Sequence, residues 1–488
     1  MAVLIVVDNP AKWPFAITGV DVVEARSYLT RPDYSEMRGV KLINLCRSYS
    51  YQTSGYYVSL LAEARGHKPL PSVTTIQDMK SQAFVRLVSD DLDDLIQRSL
   101  APIQSEKFTL SIYFGRNMAR RYDRLSLRLF NLFQAPLIRV QFARNGKWTI
   151  RSVAAIATNE VPESHAGFLV DAATEHFAGR GRRSPRRVRA RYDIAILHNP
   201  QESNPPSDDK ALRKFERAGA ALGLSCERIT RDDYARLAEF DALFIRETTY
   251  VNHHTYRFAR RAASEGLVVI DDPDSIVRCT NKVFLAELLR RHRLPMPQTM
   301  VVHKGNMDGV ASAMGMPCIL KQPDSAFSIG VVKVDTEQQL NDELKRLLTD
   351  SELVIAQSFL PTTFDWRIGI LNRRPLYACK YFMAPRHWQI MKHEGQKTRY
   401  GKWETLPVEL APRSAVRAAL KAANLIGDGL YGVDVKESNG EFYIIEINDN
   451  PNIEARVEDA ILRDELYTRI MSVLLNRIEH RKSGYQPA

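Results

Sequence analysis

Gly432-Val433-Asp434-Val435-Lys436-Glu437, a turn at Ser438-Asn439-Gly440-Glu441, and Tyr443-Ile444-Ile445-Glu446-Ile447-Asn448-Asp449-Asn450-Pro451 form the stretch that decides the fold. Two apolar runs of strand character each carry oxygen ligands in their interiors: Asp434 on the first, Glu446 and Asn448 on the second. Apolar residues on both sides of Glu446 predict a strand buried on both faces. A carboxylate in such a strand needs a partner or an ion. Hard cations such as Mg²⁺ take a few carboxylate and amide oxygens, with nucleotide phosphates and water completing the shell. The competing reading is a hairpin with acids on its solvent face that holds no metal.

The register separates the two. A plain two-residue Asn439-Gly440 turn sets Asp434 opposite Ile445 and sends Glu446 to the other face. A three-residue loop or a bulge sets Asp434 opposite Glu446, and the period-2 alternation then adds Asn448 to the same face. The metal reading therefore predicts the odd loop or the bulge.

At 488 residues the chain is long enough for two or three domains. It is 44% hydrophobic and 26% charged, as globular proteins are. The apolar run Ala2 to Val7 stops at Asp8 with no basic region before it, which predicts a buried strand rather than a signal peptide. No run approaches the ~18 apolar residues of a membrane span, so no membrane association is expected. Five scattered cysteines without a C-x-x-C pair read as reduced thiols, and the expected location is the cytoplasm.

The net charge of +11 invites a nucleic-acid reading. Much of the excess sits in Arg180–Arg191, where seven arginines lie among Gly, Ser and Pro with no acid. This segment reads as an exposed linker, with contact to RNA, a ribosome or an acidic partner as its functional alternative.

The chain divides into an N-terminal α/β unit (1–165), an Arg-rich linker (166–192), a small α/β domain (193–275) and a mixed region (276–480). Asn44 to Glu63 reads as a strand end, a polar loop and a helix from Ser54-Gly55. Its helix N-terminus, with Arg47 and several hydroxyls, is either an anion site or simply packing by Tyr49, Tyr51, Tyr56 and Tyr57. Residues 192–270 alternate strand and helix, which predicts a parallel sheet. Asp274 to Arg290 reads as one helix, and Ala460 to Ile478 as a terminal one.

Three further features agree with the hairpin. Cys318-Ile-Leu-Lys321 is a strand ending in lysine, followed by the small-residue loop Asp324-Ser-Ala-Phe-Ser-Ile-Gly330, a combination suited to phosphates. The G-x-x-x-x-G-K-[ST] pattern is absent, and so is the protein-kinase set. Glu352–Leu360 reads as a strand whose exposed edge near 357–360 offers backbone hydrogen bonds to a nucleobase. Asp365-x-Arg367 puts both charges on one strand face. Arg367 is aimed either at a transferring phosphate or into a surface ion pair worth little.

In this order, with Asn281-Lys282 ahead of it and Glu446-x-Asn448-x-x-Pro451 at its end, the pattern over about 193–480 resembles the RimK-type ATP-grasp family. The block NLCRSYSYQTSGYYVSLLAEARGHKPLP resembles the domain that precedes ATP-grasp in one RimK-like subgroup. The resemblance implies an α/β and α+β multidomain chain: an N-terminal α/β domain, a pre-ATP-grasp α/β domain and a two-lobed ATP-grasp fold that clamps Mg-ATP. It implies that Lys282 and Lys321 hold the phosphates, Lys321 and Arg367 serving catalysis. Ser328, Gly330, Gln357, Ser358, Phe359, Leu360 and Asp365 would belong to the nucleotide site. Asp434, Glu446 and Asn448 would hold Mg²⁺ (two ions, or Mn²⁺), with Glu446 bridging. The implied reaction joins a carboxylate to an amine through an acyl phosphate, often adding glutamate to a peptide or protein. The expected partners are an amino acid and a peptide, protein or small carboxylate acceptor, in a chain that can form a homo-oligomer.

Two departures weaken the transfer of substrate identity. The phosphate loop has one glycine and a bulky Phe327. The segment 386–403 lacks the family's double glycine, leaving Arg386, Lys392 or Arg399 as the candidates to replace it. A kinase that stops at phosphorylation and a non-catalytic RNA or ribosome binder are the rival readings.

Overall fold

The computed structural model describes residues 3–13, 15, 17, 20–37, 40–178, 190–324, 330–394 and 397–482. The chain splits into two compact units: Met1–Arg187 with Asp232–Glu239, and Val188–Arg231 with Phe240–Ala488.

In the first unit β1 (Val3–Val7), β2 (Asp21–Glu24), β3 (Lys41–Asn44) and β4 (Lys68–Leu70) form a parallel sheet in the order β2-β1-β3-β4. An antiparallel sheet follows, from β5 (Lys107–Tyr113), β6 (Leu137–Asn145) and β7 (Lys147–Ala155). The helices Asp93–Leu100 and Asp123–Leu132 bury Ile96, Leu100, Leu125 and Leu129 against it. The first part of the linker expected from 166 is helical instead. Ala166–Ala178 is a helix whose Leu169, Ala172 and Ala173 join a core with Ile5, Ile43 and Tyr113. In the sequence the arginines downstream dominate the local composition and mask its apolar face. Residues 179–189, most of the arginine run, lie outside the described residues. Arg191, the last of the run, pairs with Glu479 at 2.6 Å.

The helix expected from Ser54 is present at Ser54–Ala64. The hydroxyls around it close the loop on itself instead of facing an anion. Thr53 Oγ1 donates to the carbonyls of Ser48 and Ser50, and Tyr49 donates to the carbonyl of Asn44. A Cβ on Gly55 would stand 2.4 Å from the Ser48 carbonyl oxygen, so that oxygen occupies the helix start.

The second unit begins with a parallel sheet, β8 (Tyr192–Leu197), β9 (Leu224–Ile229), β10 (Ala242–Ile245) and β11 (Val268–Ile270), in the order β11-β10-β8-β9. Next is an antiparallel sheet, β12 (Thr299–Val302), β13 (Cys318–Lys321), β14 (Val331–Val334) and β15 (Val354–Ser358), in the order β12-β15-β13-β14. A five-stranded antiparallel sheet contains β16 (Phe364–Leu371), β17 (Arg374–Phe382), β20 (Trp403–Leu406), β21 (Leu430–Ser438) and β22 (Glu441–Asp449). β18 (Met391–Glu394) and β19 (Lys397–Tyr400) pair with each other.

The parallel sheet and the five-stranded sheet share one core. Ile194, Phe215 and Phe244 pack with Leu371, Tyr377 and Leu430, and with Leu466, Tyr467 and Ile470 of the terminal helix Asp464–Lys482. The expected helix over 274–290 is two, Pro273–Thr280 and Lys282–Arg291. Asn281 breaks it: its backbone is extended, and its Oδ1 accepts from the Phe284 N–H at 2.9 Å as an N-cap. The break places Lys282 in the first turn of a helix. Among the described residues no helix is long and apolar enough to cross a membrane.

Candidate active site

The hairpin resolves its register with a bulge. Asn439 and Gly440 both have positive φ (53° and 78°), as a two-residue type I′ turn demands. Ser438 then pairs with Glu441 and Val435 with Ile444, but Asp434 pairs with Glu446. Ile445 is the extra residue. Above it the strands place Asp434, Glu446 and Asn448 on one face. Val433, Val435, Ile444 and Ile447 go to the core on the other.

The neighbouring strand extends this face. Arg367 on β16 stands opposite Asp434 and grips it bidentately, Nε to Oδ1 at 2.7 Å and Nη2 to Oδ2 at 2.8 Å. Asp365 binds Lys436 Nζ at 2.6 Å and accepts from the Thr362 hydroxyl. Both charges of Asp365-x-Arg367 thus belong to partly buried pairs, not to a surface ion pair. Lys282 Nζ reaches Glu446 Oε1 at 3.0 Å. Burial alone would raise the Glu446 carboxyl, but Lys282 and Lys321 overcome it and hold the group below its ordinary value.

Lys321 ends β13 and is buried. Its ammonium donates to Gln357 Oε1 at 2.8 Å, and Gln357 Nε2 donates to Thr299 Oγ1 at 3.0 Å. Burial pushes Lys321 down to about 8, with Lys282 and Lys436 adding to the effect against the pull of Glu446.

These residues line one cavity of about 630 Å³. It takes in Lys282, Lys321, Gln357 to Leu360, Asp365, Arg367, Asp434, Glu446 and Asn448. A volume of this size suits a nucleotide-sized ligand. The expected exposed edge at 357–360 needs correction. β15 is internal, and Gln357 pairs with both Thr299 and Ile319. The Ser358 N–H donates to the Gln298 carbonyl at 2.9 Å. Backbone outside the ladder therefore begins at Phe359. The covering strand, Thr299–Val302, is short and pairs with β15 across more than 50 positions, so the sequence does not signal it. Ser328 lies outside the described residues. Gly330 has φ +75°, and a Cβ there would meet Gln322 Oε1 at 2.4 Å.

Of the candidates in 386–403, Arg386 and Arg399 are exposed and do not line the cavity, the Lys392 side chain is not described, and Lys402 does line it. Other residues were missed. Lys436 could have been found, since period 2 from Asp434 puts it on the same face. Arg246 had no local signal. Wholly buried, it donates to Asn450 Oδ1 (2.6 Å), to the carbonyls of Pro206 (2.6 Å) and Pro451 (2.8 Å), and to Ser207 Oγ (3.0 Å). It ties the exit of the hairpin to the parallel-sheet domain. Gly432 is required there, because a Cβ would come within 2.7 Å of Pro451. Glu458 accepts from the Tyr381 hydroxyl, and burial pushes it up to about 7.

The donor set fits Mg²⁺: two carboxylates and an amide, all oxygen. Asn448 Nδ2 donates to the Gly432 carbonyl and to Asp434 Oδ2, both at 3.3 Å, which leaves Oδ1 as its ligand atom.

The chain resembles known proteins in two segments. Residues 25–172 match the RimK-like ATPgrasp N-terminal domain, and residues 279–454 match an ATP-grasp domain. A "Probable alpha-L-glutamate ligase 1" of Pseudoalteromonas atlantica is 23% identical over 251 residues, 51% of this chain and 78% of that one. A protein of the same name from Shewanella sp. is 26% identical over 222 residues, 45% of this chain and 71% of that one. The chain is a RimK-like ATP-grasp ligase. Among solved structures, D-alanine–D-alanine ligase from Bacillus anthracis has a TM-score of 0.46 at 15% identity, covering 60% of this ligase and 100% of that chain. D-cycloserine synthetase has a TM-score of 0.47 at 16% identity, covering 59% and 99%. An ATP-grasp ligase works with ATP and Mg²⁺.

Proposed function

We propose that this ligase phosphorylates a carboxylate with ATP and joins it to an amino acid, glutamate being the first candidate, on a peptide or protein end. The observation that carries the reading is the charged row across three strands, Arg367–Asp434–Glu446, with Lys282 and Lys321 facing it in the same cavity. The names of the relatives support glutamate as the amino acid.

Lys282 and Lys321 bind the phosphate chain, and Phe359 and Leu360 receive the base. Asp434, Glu446 and Asn448 would hold Mg²⁺, which would supply charge neutralisation to the ATP phosphates. Arg367, fixed by Asp434, points its remaining N–H groups at the transferring phosphoryl group. An acceptor carboxylate oxygen attacks the γ-phosphorus, and the bond to the β-bridging oxygen breaks, giving ADP and an acyl phosphate. The amine then attacks the acyl carbon, phosphate departs, and the amine's proton is lost. The proposed setting is the cytoplasm.

The test is mass spectrometry of the ligase with Mg-ATP, glutamate and a mixture of peptides and proteins, beside an Asp434→Asn, Glu446→Gln double variant. A gain of glutamate residues on an acceptor, with ADP and phosphate, in the wild type alone is expected. A stable phosphorylated product with no amide would establish the kinase reading instead.

A further inference from the structure

Outside the ATP cavity, three metal-ligating side chains converge at the carboxyl end of the parallel sheet. Glu247 stands two residues after β10, and His253 and His254 open the helix His254–Ser264. One ligand atom from each lies within 4.8 Å of the other two.

An ion pair does not account for this cluster. Glu247 is buried, its side chain 3% exposed, and its Oε2 has no hydrogen-bond partner among the described residues. His254 Nε2 lies 2.8 Å from Glu247 Oε1 but outside hydrogen-bond geometry. The two imidazoles lie with ring centroids 3.9 Å apart, too close for both to carry charge comfortably. Thr255 Oγ1, 3.0 Å from His253 Nδ1, fixes that ring as outer partners of metal-bound histidines do. Other charges face the cluster. Glu202 and His198 interact electrostatically with Glu247, and Arg257 and Arg231 with His253.

We propose that Glu247, His253 and His254 form a site for a borderline transition-metal ion of the Zn²⁺ class, distinct from the Mg²⁺ hairpin. Two imidazoles and one carboxylate suit zinc, cobalt or nickel and not Mg²⁺ or Ca²⁺. Ligands about 2.0–2.1 Å from a tetrahedral ion stand roughly 3.3 Å apart, so the side chains must draw inward slightly at their widest separation. The fourth position is left to water.

The ion has a structural use. The Glu247 carbonyl accepts from Asn450 Nδ2 at 2.6 Å. Thr248 and Thr249 line the ATP cavity, and Thr249 Oγ1 donates to Asp449 Oδ2 at 2.6 Å. Fixing Glu247 therefore fixes the wall that meets the end of the metal hairpin.

The test uses the full chain, stripped with chelator and titrated with Co²⁺ in millimolar Mg²⁺, which fills the hairpin. One Co²⁺ per chain is expected, with visible absorption of a four-coordinate nitrogen–oxygen site, displaced by Zn²⁺. His253→Ala and His254→Ala should each weaken Co²⁺ binding at least tenfold. The Asp434→Asn, Glu446→Gln variant should bind Co²⁺ as the wild type does. Absence of the absorption band, equal affinity in the histidine variants, or loss of binding in the hairpin variant would each overturn the proposal. Reading the metal by absorption keeps this outcome separate from the ligase reading, since it needs no turnover.

Discussion

Lys282 and Lys321 reach the same cavity, yet they are held in opposite ways. Lys282 sits against a carboxylate, Glu446, 3.0 Å away. Lys321 sits against a neutral amide, Gln357, 2.8 Å away, and burial has pulled its pKa down to about 8. One cation is already compensated. The other is buried with a neutral amide in contact and only the weaker pull of Glu446 against its burial, a costly arrangement in a protein interior. On the proposed function, an ATP phosphate brings the further charge. The site is therefore half-neutralised on the hairpin side and waiting for an anion on the β13 side.

The largest break in this comparison comes from removing the compensated side. Glu446→Gln takes a proposed metal ligand and the partner of Lys282 at once, and Asp434→Asn frees Arg367 in the same way. Losing charge-stabilising contacts made in the transition state costs on the order of 10³-fold in kcat, about 4 kcal/mol. Steady-state assay of ADP release at saturating ATP checks it. A variant within threefold of wild type would remove the hairpin from the chemistry.

The uncompensated side gives a smaller and more revealing effect. Lys321→Met should weaken ATP binding by about 10²-fold, the scale of a charge-assisted contact or two. It should also leave the free protein as stable as before, or more so, because a desolvated ammonium is exchanged for an apolar chain of similar length. Calorimetry of the apo variant beside ATP titration separates the two quantities. A large loss of apo stability would mean that Gln357 compensates Lys321 after all.

How much of this was legible in the sequence differs between the same two sides. The hairpin can be read nearly to its register: Asp434, Glu446 and Asn448 share a face only with an odd loop or a bulge, and the structure has the bulge, at Ile445. Period-2 alternation is local, so a single sequence carries it. The β13 side was less legible. Lys321 and Gln357 could be named, but their contact is between strands 36 positions apart, and β15 proved internal where an edge was expected. Arg246 shows the limit most clearly, since its partners Asn450 and Pro451 lie about 200 positions away and nothing near it in sequence marks it. The helix Ala166–Ala178 was lost for a different reason: the arginine run beyond it made the whole segment look like linker.

The smallest expected effect is the sharpest test, because it makes the two lysines alike. In the wild type the folded-state pKa of Lys321, about 8, lies below its ordinary value of 10.5. Between those values the unfolded chain binds a proton that the folded chain does not, so this group makes stability rise with pH from about 8 to 10.5. Below 8 both states are protonated and the burial penalty is constant. Over the same window ATP affinity should fall as pH rises, because the free protein loses the Lys321 charge. Gln357→Glu supplies the carboxylate that Lys282 already has. It should restore Lys321 toward its ordinary value, flatten both pH dependences between 8 and 10, and weaken ATP binding only about tenfold, because the phosphate must now compete with a fixed anion. If the pH dependence above 8 persists unchanged in Gln357→Glu, another group is titrating and the contrast between the two lysines is not what sets the site's appetite for an anion.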